Sequence, residues 1–257
     1  MNEHDHFKFS PATWIIPTFL LVVVWFVFYI NNSFNLHLND HGILPRTFSG
    51  LQGVIFSPFL HGDLKHIASN SLPLLILTTA LIYFYREVSL KVLVYGIVLS
   101  GIITWTIGRE SYHIGASSLI YVLVSFIFFK GMMTQYYRLM ALSLVVVVLY
   151  GGMIWYVFPE VDKAISWEGH LAGLLTGFVF AVRFKTPDYV KDIQYPWEKP
   201  DFNPEEDSFM KHFDENGNFV NTPEPEELEL EETGSPPIQY VYVFKENREE
   251  ELEQESN

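Results

Sequence analysis

Between residues 13 and 185 the chain alternates long apolar blocks with polar connections, mostly short. The blocks are Thr13–Ile30, Ile67–Tyr85, Leu90–Ile107, Leu119–Phe129, Leu139–Phe158 and Trp167–Phe184. About 20 apolar residues, rising about 1.5 Å each, cross a hydrocarbon layer of about 30 Å. The pattern therefore predicts an all-α, polytopic membrane protein with six transmembrane helices. The first block follows Glu3 and Asp5 and lacks a small-residue cleavage site, so it is expected to be an anchor and not a removed signal. The fourth is only 11 residues long. The chain before it is then expected to dip into the membrane, where non-helical backbone must be buried in protein or line a water-filled cavity. The connection Asn31–Phe59, with its "FNLHLNDHGILPRTFSGLQGVIF", is too apolar for a free linker and is expected at the outer interface.

Charge divides the chain. Residues 1–185 hold 11 Lys/Arg against 9 Asp/Glu, whereas residues 186–257 hold 5 against 21, so the net −14 belongs to the tail. That tail is rich in Pro and Glu and is expected to be mostly disordered, with "IQYVYVF" as a strand or docking segment inside it. The chain thus has three parts: a cytoplasmic segment 1–12, a membrane domain 13–185, and an acidic tail 186–257. With the N-terminus inside, Lys8, Arg86, Lys91, Lys130, Arg138, Arg183, Lys185 and Lys191 face the cytoplasm, against Arg46, Lys65, Arg109 and Lys163 outside. The excess places both termini inside. The absence of cysteine excludes disulfides, thiolate metal sites and cysteine nucleophiles.

Three polar clusters lie near the outer ends of the blocks. In "HGDLKHIASNSLPLLIL", Asp63 suits a helix N-cap, and His66 and Asn70 share a face at i, i+4. A buried imidazole and carboxamide in a span are functional candidates, although interhelical hydrogen bonding explains them equally well. His61, before the helix, reads as solvated. In "SYHIGASSLIYVLV", Gly115-Ala116 permits a tight turn and Ser117 falls in the first helical turn, where free N–H groups favour an anion. Capping or packing would account for a lone serine. In "WEGHLAGLLTGFVFA", Gly169, Gly173 and Gly177 have the spacing that lets helices approach closely, and His170 lies among them.

Depth links the clusters. Ser117 precedes Lys130 by 13 residues and His170 precedes Arg183 by 13. Each then lies roughly 20 Å above the inner face. Asn70 precedes Arg86 by 16 residues, or about 24 Å. A hydroxyl, an imidazole and a carboxamide in one layer suit acyl transfer. Ser117 would attack a peptide carbonyl and His170 would take and return its proton, while the Ser117 N–H, His66 and Asn70 would hold the oxyanion. No carboxylate at that depth is evident to orient His170. His113, four residues before Ser117, is a rival candidate for the base, although its place in a loop favours simple solvation.

These residues resemble the motifs of the rhomboid intramembrane serine proteases. The likeness covers most of residues 13–185: His61, His66 and Asn70 match H-x4-H-x3-N, Gly115 to Ser118 match G-x-S-G, and His170, Gly173 and Gly177 match H-x2-G-x3-G. The resemblance implies a six-helix bundle and a Ser117–His170 dyad, with Tyr121 packed on His170. Gly115, Gly173, Gly177 and His61 would support the site. It further implies a substrate that is a membrane-anchored protein cut in or near its span, within the lipid bilayer. No metal, cofactor or nucleic acid is expected, and the location is the bacterial inner membrane. Two positions depart from the pattern. Ser118 replaces the last glycine of G-x-S-G and is expected to crowd the oxyanion pocket or shift helix packing. Val122 replaces a glycine after the tyrosine and is expected to hold its helix away from a neighbour. Arg46 is the nearest candidate for the family's first-loop Trp-Arg pair. The competing readings are a non-cutting rhomboid-like protein that binds membrane segments, and a transporter using the same polar layer.

Overall fold

The computed structural model describes residues 7, 9–159, 161, 165–185, 195, 202–203, 207, 209–214 and 216–220. Six long helices form the membrane domain: α1 (Ala12–Phe34), α3 (Leu64–Phe84), α4 (Arg86–Ile107), α5 (Ser117–Thr134), α6 (Tyr137–Tyr150) and α7 (Trp167–Arg183). The single turn α2 (Gly53–Phe56) lies in the first loop. Sheet pairing among the described residues is limited to two isolated bridges, Ile43 with His113 and Phe213 with Phe219. By length and composition five segments can cross a membrane: α1, α3, α4, α5, and α6 with its 3-10 extension to Val157. Helix α7, at 17 residues, is about 26 Å long and spans less than the full hydrocarbon layer.

Local chemistry sets the boundaries that matter for the site. The Asp63 carboxylate accepts the His66 N–H at 2.8 Å and starts α3. Gly115 has φ +109°, a conformation open to glycine, and it delivers the chain to α5. The Ser166 hydroxyl accepts the Gly169 N–H at 3.2 Å and starts α7. After Tyr150 the helix tightens into a 3-10 segment over Gly151–Val157.

Helix α5 is the centre of the bundle and α7 is its most extensive partner. Their backbones touch because two glycines of α7 lack a side chain. A Cβ on Gly173 would collide with the Ser118 carbonyl and lie 2.7 Å from the Tyr121 Cβ. One on Gly177 would collide with the Val122 carbonyl and lie 2.6 Å from the Ser125 Cβ. Hydroxyls of α5 use the proximity: Ser118 Oγ donates to Gly169 O at 2.9 Å, and Ser125 Oγ donates to Leu174 O at 2.7 Å. By contrast, α1 is peripheral, with Trp14, Phe19, Val22, Phe26 and Tyr29 exposed as a lipid-facing surface. It is tied to α3 where Trp25 Nε1 donates to Ser71 Oγ at 3.0 Å.

Several expectations change. The fourth long helix is 18 residues, not 11, because Lys130 does not mark the membrane border. Lys130 is buried, and its ammonium donates to Ala181 O at 3.2 Å and Phe184 O at 2.6 Å. It thereby satisfies carbonyls that the end of α7 leaves open. Val122 does not separate helices. Its side chain packs over Gly96 of α4, where an added Cβ would meet it at 3.1 Å, so the missing glycine on one helix is matched by a glycine on its neighbour.

The chain divides into two units, Met1–Asp192 and Ile193–Asn257. In the second, the Phe213–Phe219 bridge closes a turn in which the Asp214 carboxylate accepts the N–H groups of Asn216 and Asn218. The segment "IQYVYVF" lies outside the described residues.

Replacing Gly177 by alanine should force α5 and α7 apart and cost about 1–3 kcal/mol by overpacking. The Gly152→Ala control, where nothing lies within 4 Å of the new methyl group, should stay within about 0.5 kcal/mol. Thermal unfolding in detergent reads both; equal midpoints would contradict the close helix contact.

Candidate active site

The N-terminal ends of α3, α5 and α7 border a cavity of about 1020 Å³. Ser117, His170, His66, Asn70 and Tyr121 all line it. Each reaches the cavity for a local reason. Ser117 is the first residue of α5, directly after the Gly115 turn. A side chain on Gly115 would fall 2.5 Å from His66 Nε2 and 3.5 Å from Asn70 Nδ2. Space as well as φ therefore requires glycine, and the turn is pressed against the two candidate oxyanion donors. Its backbone is held where Gly115 N–H donates to Ser57 O at 2.8 Å.

Asn70 is oriented by His61. The Asn70 amide donates to His61 Nε2 at 3.1 Å, and the His61 ring meets that of His66 edge-on with centroids 4.9 Å apart. His61 is 1% exposed, which overturns the expectation of a solvated residue. The loop folds back over α3 and buries it. Burial, then the neighbouring His66, lowers its pKa to about 4, so its ring stays neutral and able to accept.

His170 is oriented from two directions. Its ring stacks on Tyr121 at 4.2 Å and 15°. Its Nδ1 lies 2.9 Å from the Tyr156 carbonyl, which can only accept, so Nδ1 carries the proton and Nε2 is left as the free acceptor. Tyr121 in turn donates its hydroxyl to Met153 O at 2.5 Å. The 3-10 segment after α6 thus orients both His170 and Tyr121 through backbone carbonyls. Ser117 and His170 share the cavity but make no direct hydrogen bond among the described residues. Such bonds are often long without substrate.

Ser118 does not crowd this cavity. Its hydroxyl is turned into the α5–α7 contact by the bond to Gly169 O. His113 is also not solvated: it is 4% exposed, with Nδ1 2.6 Å from the Ser166 hydroxyl and Nε2 3.1 Å from Arg109 O. Burial lowers its pKa, opposed by the Arg109 carbonyl. Arg46 donates Nη1 to Gly108 O at 2.6 Å, and Trp105 Nε1 donates to Thr47 O at 2.9 Å, so the first loop is fastened to the C-terminal end of α4. Tyr156, Met153, Arg109, Ser166 and Glu168 are not singled out by the sequence reasoning. The first two act through carbonyls that every residue possesses. Ser166 does carry a signal, a serine before the acidic first turn "WEGH".

Fold and site together define a polytopic helical membrane protein with a cavity between its helices into which Ser117, His66, Asn70 and His170 converge. A family model described as the Rhomboid domain matches residues 49–186, and the chain belongs to the rhomboid family. Uncharacterised proteins of Mycobacterium bovis and Mycobacterium tuberculosis are each 32% identical to it over 183 residues, covering 67% of this chain and 75% of theirs. One from Mycobacterium leprae is 30% identical over 161 residues, covering 59% and 63%.

The buried histidines make stability depend on acid. Between pH 6.5 and about 4 an unfolded His61 takes up a proton that the folded loop refuses, so stability falls as pH drops through that window. His113 acts in the same direction. Thermal midpoints in detergent should decline from pH 7 to pH 4.5. His61→Gln, whose amide oxygen still accepts from Asn70, should shrink the decline while the His113 share remains. An unchanged slope would contradict the buried neutral ring.

Proposed function

We propose that this rhomboid-family membrane protein is an intramembrane serine endopeptidase. The observation that carries the proposal is the convergence of Ser117, His170, His66 and Asn70, from three helices, on one cavity. Ser117 Oγ attacks the scissile carbonyl carbon and passes its proton to His170 Nε2. The tetrahedral oxyanion is held by the Ser117 N–H and the side chains of His66 and Asn70. Collapse expels the amine, which takes the proton from His170 and leaves an acyl-Ser117. Water, deprotonated by His170, then releases the acid and restores the serine. Tyr121 keeps the imidazole face covered, and the Tyr156 carbonyl stabilises the imidazolium through Nδ1–H.

The substrates are membrane-anchored proteins cut in or near the span. A helical peptide bond hides its carbonyl in the i→i−4 hydrogen bond, so the segment must unwind at the cut. The cationic residues favour both termini in the cytoplasm of a bacterial inner membrane, which opens the cavity to the outer side.

A second reading, capture of membrane segments without cleavage, draws on the missing direct Ser117–His170 bond. Labelling decides between the two. A fluorophosphonate probe should modify the purified protein at Ser117, identified by peptide mass, and not at Ser166, whose hydroxyl faces His113. Ser117→Ala and His170→Ala should each abolish labelling and cleavage of a co-expressed single-span reporter. Reporter capture with no labelling would favour the binding protein. Undiminished cleavage in both variants would overturn the dyad. Among the oxyanion donors, Asn70→Ala should lower turnover roughly 10²- to 10³-fold, measured in detergent with the same reporter.

A further inference from the structure

The bond between loop and helix at the outer rim uses a residue that the proposed chemistry does not. Glu168 is 1% exposed, in the first turn of α7, two residues before His170. Two residues turn a helix by about 200°, so Glu168 and His170 point to opposite sides. His170 lines the cavity and Glu168 does not. The carboxylate turns instead to the loop that runs from α4 to Ser117. Its Oε1 accepts the Arg109 backbone N–H at 3.1 Å and lies 3.8 Å from Arg109 Nε. Its Oε2 is buried with no hydrogen-bond partner among the described residues.

A carboxylate with one orphan oxygen is a costly means of filling space. The surroundings offset that cost in a directed way: the guanidinium lies alongside, and the N-terminal turn of α7 favours negative charge. The same strip carries two further ties. Arg109 Nη2 donates to Ile165 O at 2.7 Å, and His113 Nδ1 lies 2.6 Å from Ser166 Oγ, the cap of α7. All three ties join residues 109–113 to residues 165–168. Each tied segment leads within a few residues to a reacting group, Ser117 on one side and His170 on the other.

We propose that Glu168, with Arg109 as its partner, is a positioning residue. It clasps the loop 108–116 to the first turn of α7 and so sets the separation of the Ser117 hydroxyl from the His170 ring. The consequence for activity rests on the dyad proposed above; the clasp itself does not.

The full chain supplies the test. Glu168→Ala removes the acceptor, whereas Glu168→Gln keeps a carbonyl oxygen for the Arg109 N–H. In the alanine variant, the rate of Ser117 modification by a fluorophosphonate and kcat on the single-span reporter should fall roughly 10- to 100-fold, with KM within about twofold, as expected for displaced reacting groups. The glutamine variant should recover most of that loss. Because the chain contains no cysteine, Ser111→Cys and Val182→Cys, both at exposed positions, accept a clean pair of nitroxide labels. The distance from loop to the inner end of α7 should be narrowly distributed in the parent and in Glu168→Gln, and broad in Glu168→Ala. A narrow distance with full labelling in Glu168→Ala overturns the clasp. A parent protein that the probe does not modify overturns the dyad, and the distance distributions then decide the clasp alone.

Discussion

The contact between α5 and α7 is the constraint on which the rest of the structure depends. In lipid, apolar side chains gain little by leaving one apolar environment for another, so helices associate through close packing and hydrogen bonds. Here both act along the same line. Gly173 and Gly177 admit the α5 backbone, and three donors of α5 reach α7 carbonyls at successive depths: Ser118 to Gly169, Ser125 to Leu174, and Lys130 to Ala181 and Phe184. A seam bonded at both ends and in the middle has little freedom to slide. Ser117 and His170 stand at its N-terminal end, one on each helix.

Around the seam, polar groups inside the bundle are answered by groups the loops provide. Asn70 is met by His61, His170 by the Tyr156 carbonyl, and Tyr121 by the Met153 carbonyl. The first loop is bound by the Ile43–His113 bridge and by Arg46 on Gly108 O. These connections act as scaffolding for the cavity. The non-helical backbone before α5 is tied down by the bond from Gly115 N–H to Ser57 O; with α5 at 18 residues, a short helix no longer requires that backbone to dip into the membrane.

The two departures from the family pattern illustrate how substitutions are absorbed in such a bundle. Ser118 exchanges a glycine's emptiness for a hydrogen bond to the backbone it faces. Val122 fills a space that Gly96 leaves on the opposite helix. Both side chains pack between helices, and neither lines the cavity. Motif spacing reports where backbones must meet, and neighbouring residues determine which side chains that meeting tolerates.

Much of this architecture is legible in the amino-acid order. Membrane helices declare themselves because lipid demands long apolar runs with every backbone group bonded within the helix; five of the six blocks grow into helices that meet that demand, and α7 is shorter. Counting residues along helices of fixed rise puts Ser117, His170 and Asn70 near one layer, and the folded chain adds His66 to the same cavity. Boundaries are less secure: Lys130 reads as a border residue because sequence shows a charge but not the carbonyls that receive it. His61 and His113 read as solvated for the same reason, since burial is a property of how loops fold back. The orienting carbonyls of Tyr156 and Met153, and the tie between Glu168 and the Arg109 N–H, leave little trace in the sequence, because their backbone groups are common to almost every residue. Sequence alone determined which polar side chains stand near the ends of the apolar segments. Tertiary structure decided which neutral donor and acceptor each group would face, because that choice is made by segments distant along the chain meeting in space.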